Sequence, residues 1–169
     1  MAIILDIETV GFEIENLAES QQEFLLRYAE KEQNEQLKNE KRRDTERYLS
    51  LYPFTSKIIV IGLLNTESEG KLILFSSECK EEFEVSEKRV KYIGLDEKDM
   101  LSLFWSLIPK TDKVITFNGR NFDLPYLMIR SALLGVKPSS NLINNRYNLT
   151  KHIDLLDQLS YYGAVRRKG

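Results

Sequence analysis

The sequence predicts a mixed α/β domain built on one central β-sheet. Short apolar, β-branched runs of strand length recur at 3–9, 57–64, 71–75 and 113–118. Two of them, 57–64 and 71–75, flank a Glu69-Gly70 turn and read as a hairpin. Segments with helical apolar spacing accompany the later strands, at 97–108 and from about Phe122 to Gly135. An initial strand, a hairpin and then strand–helix units make a mixed sheet with helices against it.

Ile3-Ile4-Leu5-Asp6-Ile7-Glu8-Thr9 opens the chain as a strand, and later strands can add on both sides of it, which makes it central. Val10-Gly11-Phe12 breaks the pattern. From about Asn16 to Leu49 strong helix formers dominate and apolar residues thin out after Tyr28-Ala29, so one or two exposed helices are inserted after the first strand. Lys41-Arg42-Arg43 could meet a phosphate backbone, but the interleaved acids favour a solvated helix face. Pro53-Phe54-Thr55-Ser56 is a turn into the strand Lys57–Leu64, and Lys71-Leu72-Ile73-Leu74-Phe75 is its partner. Glu81 to Ile93 is mixed, with an edge strand and a surface loop both open. Met100, Leu101, Leu103, Phe104, Leu107 and Ile108 share a helical spacing that Pro109 ends. The strand Lys113–Asn118 ends at a tight Asn118-Gly119 turn, residues 135–150 are loop-like, and His152–Asp157 begins a short strand or strand–helix junction. No internal repeat or linker divides the chain, so a single domain spans 1–169, with the helical insertion at about 16–49.

Composition narrows the function classes. The 169 residues carry 42% hydrophobic content, enough for a real core. Net charge is −2 and the sequence pI about 5.6, so no global basic field advertises nucleic acid, although local Lys and Arg or metal ions can supply such affinity. The single cysteine, Cys79, excludes an intramolecular disulfide framework and a Cys-rich zinc site, and the single histidine excludes a His-rich one. No signal-peptide pattern and no apolar run of membrane-spanning length is present, so the expectation is a cytoplasmic protein with no membrane partner.

Chemistry concentrates at two acidic points. Successive strand side chains alternate between faces, so Asp6 and Glu8 share one. Like charges side by side on a mostly buried strand repel, and a divalent cation turns that liability into a site, because carboxylate oxygens are what Mg²⁺ and Mn²⁺ prefer. A strand end emerging into solvent is the plainer alternative. The second point is Asp123, in the first turn of the helix that follows Phe117-Asn118-Gly119-Arg120-Asn121-Phe122. Alone, it would be an ordinary helix N-terminal charge.

Together, Asp6-Ile7-Glu8-Thr9 and Asn118-x-x-x-Phe122-Asp123 resemble the first two motifs of the DEDD 3′–5′ exonucleases of the ribonuclease H-like fold. The closest likeness is to predicted exonucleases similar to the proofreading domain of family B DNA polymerases. Thr55-Ser56-Lys57-Ile58, Asn118-Gly119-Arg120-x-Phe122-Asp123-Leu124-Pro125 and His152–Ser160 resemble the same family. The resemblance implies a ribonuclease H-like sheet flanked by helices and hydrolysis of phosphodiester bonds at the 3′ end of single-stranded DNA, with RNA left open. It implies Mg²⁺ or Mn²⁺, two ions about 3.5–4 Å apart, held with the help of Asp6, Glu8 and Asp123. It also implies that Ile7, Thr9, Asn118 and Phe122 cradle the terminal nucleotide, although Phe122 is equally a core candidate.

The chain departs from that pattern in one respect. The family's fourth carboxylate lies on a late helix, a few residues after a Tyr or His that orients the attacking water. No Tyr-x-x-x-Asp follows Asp123 in this sequence. His152 and Asp157 have the spacing of the histidine subclass and could substitute. The favoured reading instead makes His152-Ile153-Asp154-Leu155 the last strand, with Asp154 tying its end to a neighbouring loop. On that reading the last family helix is missing and the domain is C-terminally incomplete, to be finished by a missing segment or a partner protein. The alternative function is then a catalytically dead nuclease fold that binds nucleic acid or a partner.

Overall fold

The computed structural model describes residues 1–143 and 145–165; Asn144, in the loop expected at 135–150, and Arg166-Arg167-Lys168-Gly169 lie outside the described residues. Its strands are β1 (Ala2–Gly11), β2 (Ser56–Asn65), β3 (Lys71–Ser76), β4 (Glu81–Val85), β5 (Val90–Leu95), β6 (Lys113–Thr116) and β7 (His152–Asp154). They form one sheet in the order β4-β5-β3-β2-β1-β6-β7, so β1 has neighbours on both sides, as expected. β2 and β3 pair antiparallel, whereas β1–β6, β6–β7 and β3–β5 are parallel. The result is the mixed α/β sheet that the sequence predicts. The segment 81–93, open in the sequence, forms β4 and most of β5. β5 is an interior strand, with Phe83 stacked on Tyr92 at 4.8 Å across the pair.

The chain divides into two compact units, residues 1–8 with 58 onward, and residues 9–57. In the first, Ile3, Leu5 and Ile7 of β1 are buried while Ile4, Asp6 and Glu8 are exposed, the period-2 alternation of a strand covered on one face. The covered face packs on Met100, Leu101 and Phe104 of α3 (Glu97–Leu107) and on Leu124 and Leu127 of α4 (Asp123–Leu133). Each such side chain, buried, contributes about 1.5–3 kcal/mol of transfer free energy. Asp96 caps α3 by accepting from the Asp99 amide at 2.8 Å. Glu97 then links three elements: it accepts from the Ile58 amide of β2 at 2.8 Å and pairs with Arg130 of α4 through Nε at 2.8 Å and Nη2 at 2.5 Å. The indole of Trp105 donates to Ser131 Oγ at 2.8 Å, a second bond between α3 and α4. Gly135, at φ +68°, ends α4 in a left-handed turn, with the Val136 amide returning to the Ser131 carbonyl and the Gly135 amide to Ala132.

In the second unit, α1 (Glu19–Leu26) and α2 (Glu35–Leu49) bury Leu26 and Leu49 with Ile14. Asn34 caps α2 by accepting from the Gln36 and Leu37 amides. Lys41 pairs with Glu32 and Arg42 with Glu15 and Glu46, as a solvated, self-neutralised helix surface requires. Among the described residues no helix is long and apolar enough to cross a membrane.

Candidate active site

β1 and α4 bring the two acidic points together. The Asp123 side chain, first in α4 and only 3% exposed, accepts a hydrogen bond from the Ile7 amide at 3.1 Å, between Asp6 and Glu8 on β1. Burial pushes its carboxyl up to about 6. The nearby Asp6 and Asp154 carboxylates add to the rise, and the amides of Asp123 itself and of Ile7 oppose it. Asp123 is therefore a carboxylate held at a site that disfavours its charge. Thr9 belongs to the second unit, where its hydroxyl donates to the Ser50 carbonyl at 2.7 Å.

The donor set suits a hard divalent cation: three carboxylates, two of them exposed and the third made unstable as an anion by burial and by a neighbouring acid. Positive charge beside Asp123 would relieve that instability. Yet among the described residues no group of three His, Cys, Asp or Glu is arranged to hold a metal ion. The residues fit the chemistry without being closed into a coordination sphere, and Asp6 and Glu8 are the exposed members of the set.

The loop from β6 to α4 carries Asn118 and Phe122. Asn118 sits at φ +63°, a left-handed conformation, and its side-chain oxygen accepts from Asn121 Nδ2 at 3.0 Å. Gly119 is pressed onto Thr116, where a Cβ would stand 2.3 Å from the threonine Oγ1; only glycine fits. Phe122 packs against the main core and against Tyr126, with ring centroids 5.3 Å apart, so packing accounts for at least part of its role.

His152 and Asp154 lie on β7, and Asp157 on the short helix that follows it. His152 is fully buried, its Nε2 2.8 Å from Thr116 Oγ1, and burial, reinforced by Arg120, pushes its pKa down to about 4. Asp157 is paired with Arg120 at 3.5 Å and with Arg146. Asp154 accepts from the amides of Asn118, Arg120 and Leu156, which makes it the strand-to-loop tie that the sequence suggested. Arg120 and Arg146 were not singled out in the sequence. The signal for Arg120 was its place between Asn118 and Asp123, but nothing local says that it points toward the chain's one histidine.

Residues 48–168 match the family model described as a predicted 3′–5′ exonuclease related to the exonuclease domain of PolB. The chain belongs to this family. The β1 carboxylates precede the matched segment. Among known proteins, DNA polymerase 1 of Saccharolobus solfataricus is 30% identical over 110 residues, covering 58% of this chain and 12% of the polymerase. A DNA polymerase of Thermococcus litoralis is 34% identical over 76 residues, covering 41% of this chain and 4% of the polymerase. The chain thus corresponds to a small part of either relative. The family B DNA polymerase of Pyrobaculum calidifontis shares the fold, with a TM-score of 0.52 at 13% identity over 95% of this chain and 16% of that one.

Proposed function

We propose that this PolB-related exonuclease domain is a divalent-metal-dependent 3′–5′ exonuclease acting on single-stranded DNA. The observation that carries the reading is the bond from the Ile7 amide to Asp123, which joins the Asp6/Glu8 strand to the Asn118–Asp123 motif. The two polymerase relatives support DNA as the substrate class. Asp6, Glu8 and Asp123 would hold the metal. When bound, Mg²⁺ or Mn²⁺ supplies an acidified water and charge stabilisation for the leaving 3′ oxygen. Asp6 and Glu8 present their oxygens from one exposed face, and Asp123 is fixed behind them by the Ile7 amide. Asn118 and Phe122, with the backbone around Ile7, would orient the terminal nucleotide.

The test is incubation of single-stranded and 3′-recessed DNA oligonucleotides, beside a ribo-oligonucleotide, with the protein in Mg²⁺ or Mn²⁺ and with Asp6→Ala. Stepwise shortening from the 3′ end that Asp6→Ala abolishes is the expected result. Cleavage that survives the substitution overturns the reading.

A second reading is a nuclease fold that binds nucleic acid or a partner protein without cleaving. It is favoured by Asp157, which arginines occupy, and by His152, which is buried and neutral. Neither is disposed to supply the fourth ligand or the base. Three carboxylates alone would hold metal less tightly and orient water less well. Calorimetric titration with Mn²⁺ separates the two readings: two tight sites favour the nuclease, and weak binding or none favours the inactive fold.

A further inference from the structure

We propose that Asp154 is a positioning residue for the nuclease site, acting through the 118–123 loop rather than on substrate or metal; the inference rests on the nuclease reading above. Its carboxylate is 3% exposed and takes three backbone amides, those of Asn118 at 2.8 Å and Leu156 at 3.0 Å on Oδ1 and that of Arg120 at 3.0 Å on Oδ2. One of these, the Leu156 bond, caps the short helix α5 (Leu155–Leu159). The other two reach across to a different element and grip the loop on both sides of Gly119.

That loop is held in an uncommon conformation. Asn118 is left-handed, a state that Asn tolerates better than other non-glycine residues and that persists here because its surroundings determine it. Asp154 from one side and Thr116 beneath Gly119 supply that determination. The consequence travels forward, because the Leu124 amide donates to the Gly119 carbonyl at 2.8 Å and so hangs the start of α4 on the loop. Asp123 is the first residue of that helix. A loop released from Asp154 therefore loses the register of Asn118 and Phe122 and loosens the anchorage of Asp123 beside Ile7.

Asn and Ser both cap helices about as well as Asp, so Asp154→Asn and Asp154→Ser preserve the α5 cap while attacking the loop. In Asp154→Asn the amide NH₂ faces the Arg120 N–H, donor against donor; in Asp154→Ser both loop amides lose their acceptor. Three readouts apply: amide hydrogen exchange, KM for a single-stranded DNA oligonucleotide, and the Mn²⁺ concentration giving half-maximal rate. Exchange protection at Arg120 is expected to fall about tenfold with Leu156 little changed, and KM and half-saturating Mn²⁺ each to rise about tenfold, the scale of one buried hydrogen bond. A merely structural role lowers the amount of active protein and leaves KM and half-saturating Mn²⁺ where they were; that result overturns the proposal. Should the Asp154 variants not fold, Gly119→Ala displaces the same loop from beneath, and unchanged KM and Mn²⁺ dependence in that variant overturn it equally. An inactive wild-type protein overturns the nuclease reading and this role together, whereas an active wild type with unaltered variants overturns this role alone.

Discussion

The amide of Ile7 and the carboxylate of Asp123, 116 residues apart, meet at 3.1 Å. The contact places a buried acid against a strand whose exposed face already carries two, Asp6 and Glu8, so part of the protein's stability is set against its proposed chemistry. Burial raises the Asp123 pKa to about 6 from 3.8, which means that the folded, metal-free protein works against ionising it.

Asp123→Asn should therefore stabilise the metal-free protein. A carboxyl whose pKa is raised on folding favours the folded state fully below the unfolded pKa and loses that contribution as pH rises through about 6. At pH 7.5 in chelator the variant should gain about 2–3 kcal/mol, with wild type and variant converging near pH 4. Thermal or urea unfolding across that range checks it, and saturating Mn²⁺ should narrow the gap by stabilising the wild type alone.

His152 titrates with the opposite sign. Its pKa is lowered from 6.5 to about 4, so the unfolded chain binds its proton first and stability falls as pH drops from 6.5 toward 4. Between pH 4 and 6 this slope and that of Asp123 oppose each other and nearly cancel. In Asp123→Asn the histidine slope is unmasked, and stability should fall by about 1.4 kcal/mol per pH unit more steeply than in wild type across that interval. Parallel pH–stability curves for the two proteins would contradict this.

Glu97→Gln should be among the most damaging single changes in the first unit. The carboxylate pairs with the buried Arg130 and accepts the Ile58 amide, so its neutral analogue removes a buried ion pair at the junction of β2, α3 and α4. A loss of about 3–5 kcal/mol is expected. Measured midpoints of urea unfolding for Glu97→Gln and for the double variant Glu97→Gln/Arg130→Met decide it, because removing both charges should restore most of the loss.

Asp157→Asn separates stability from catalysis. The side chain answers Arg120 and Arg146, so its neutralisation should lower the unfolding midpoint while leaving half-saturating Mn²⁺ unchanged. A large rise in the Mn²⁺ requirement, with stability intact, would instead assign Asp157 to the metal site.

Much of the architecture was legible because it repeats locally. The period-2 run Ile3–Glu8 declared which residues face the core and that Asp6 and Glu8 share the other face. Pro109 and Gly135 marked the helix ends, and Asn118-Gly119 marked the turn before Asp123. The segment 81–93 was not legible, because Glu-Glu-Phe-Glu-Val has no apolar run of its own; pairing between β4 and β5 makes it a strand.

The sequence by itself determined the kind of chemistry, since carboxylates two apart on a strand and a third at a helix start can be recognised without coordinates. Tertiary structure alone decided their condition. Which acid loses its water, which arginine answers Asp157 and which amides Asp154 grips depend on desolvation and on contacts between residues far apart in the chain. Local pattern encodes the face a side chain takes, whereas its charge state is set by everything packed around it.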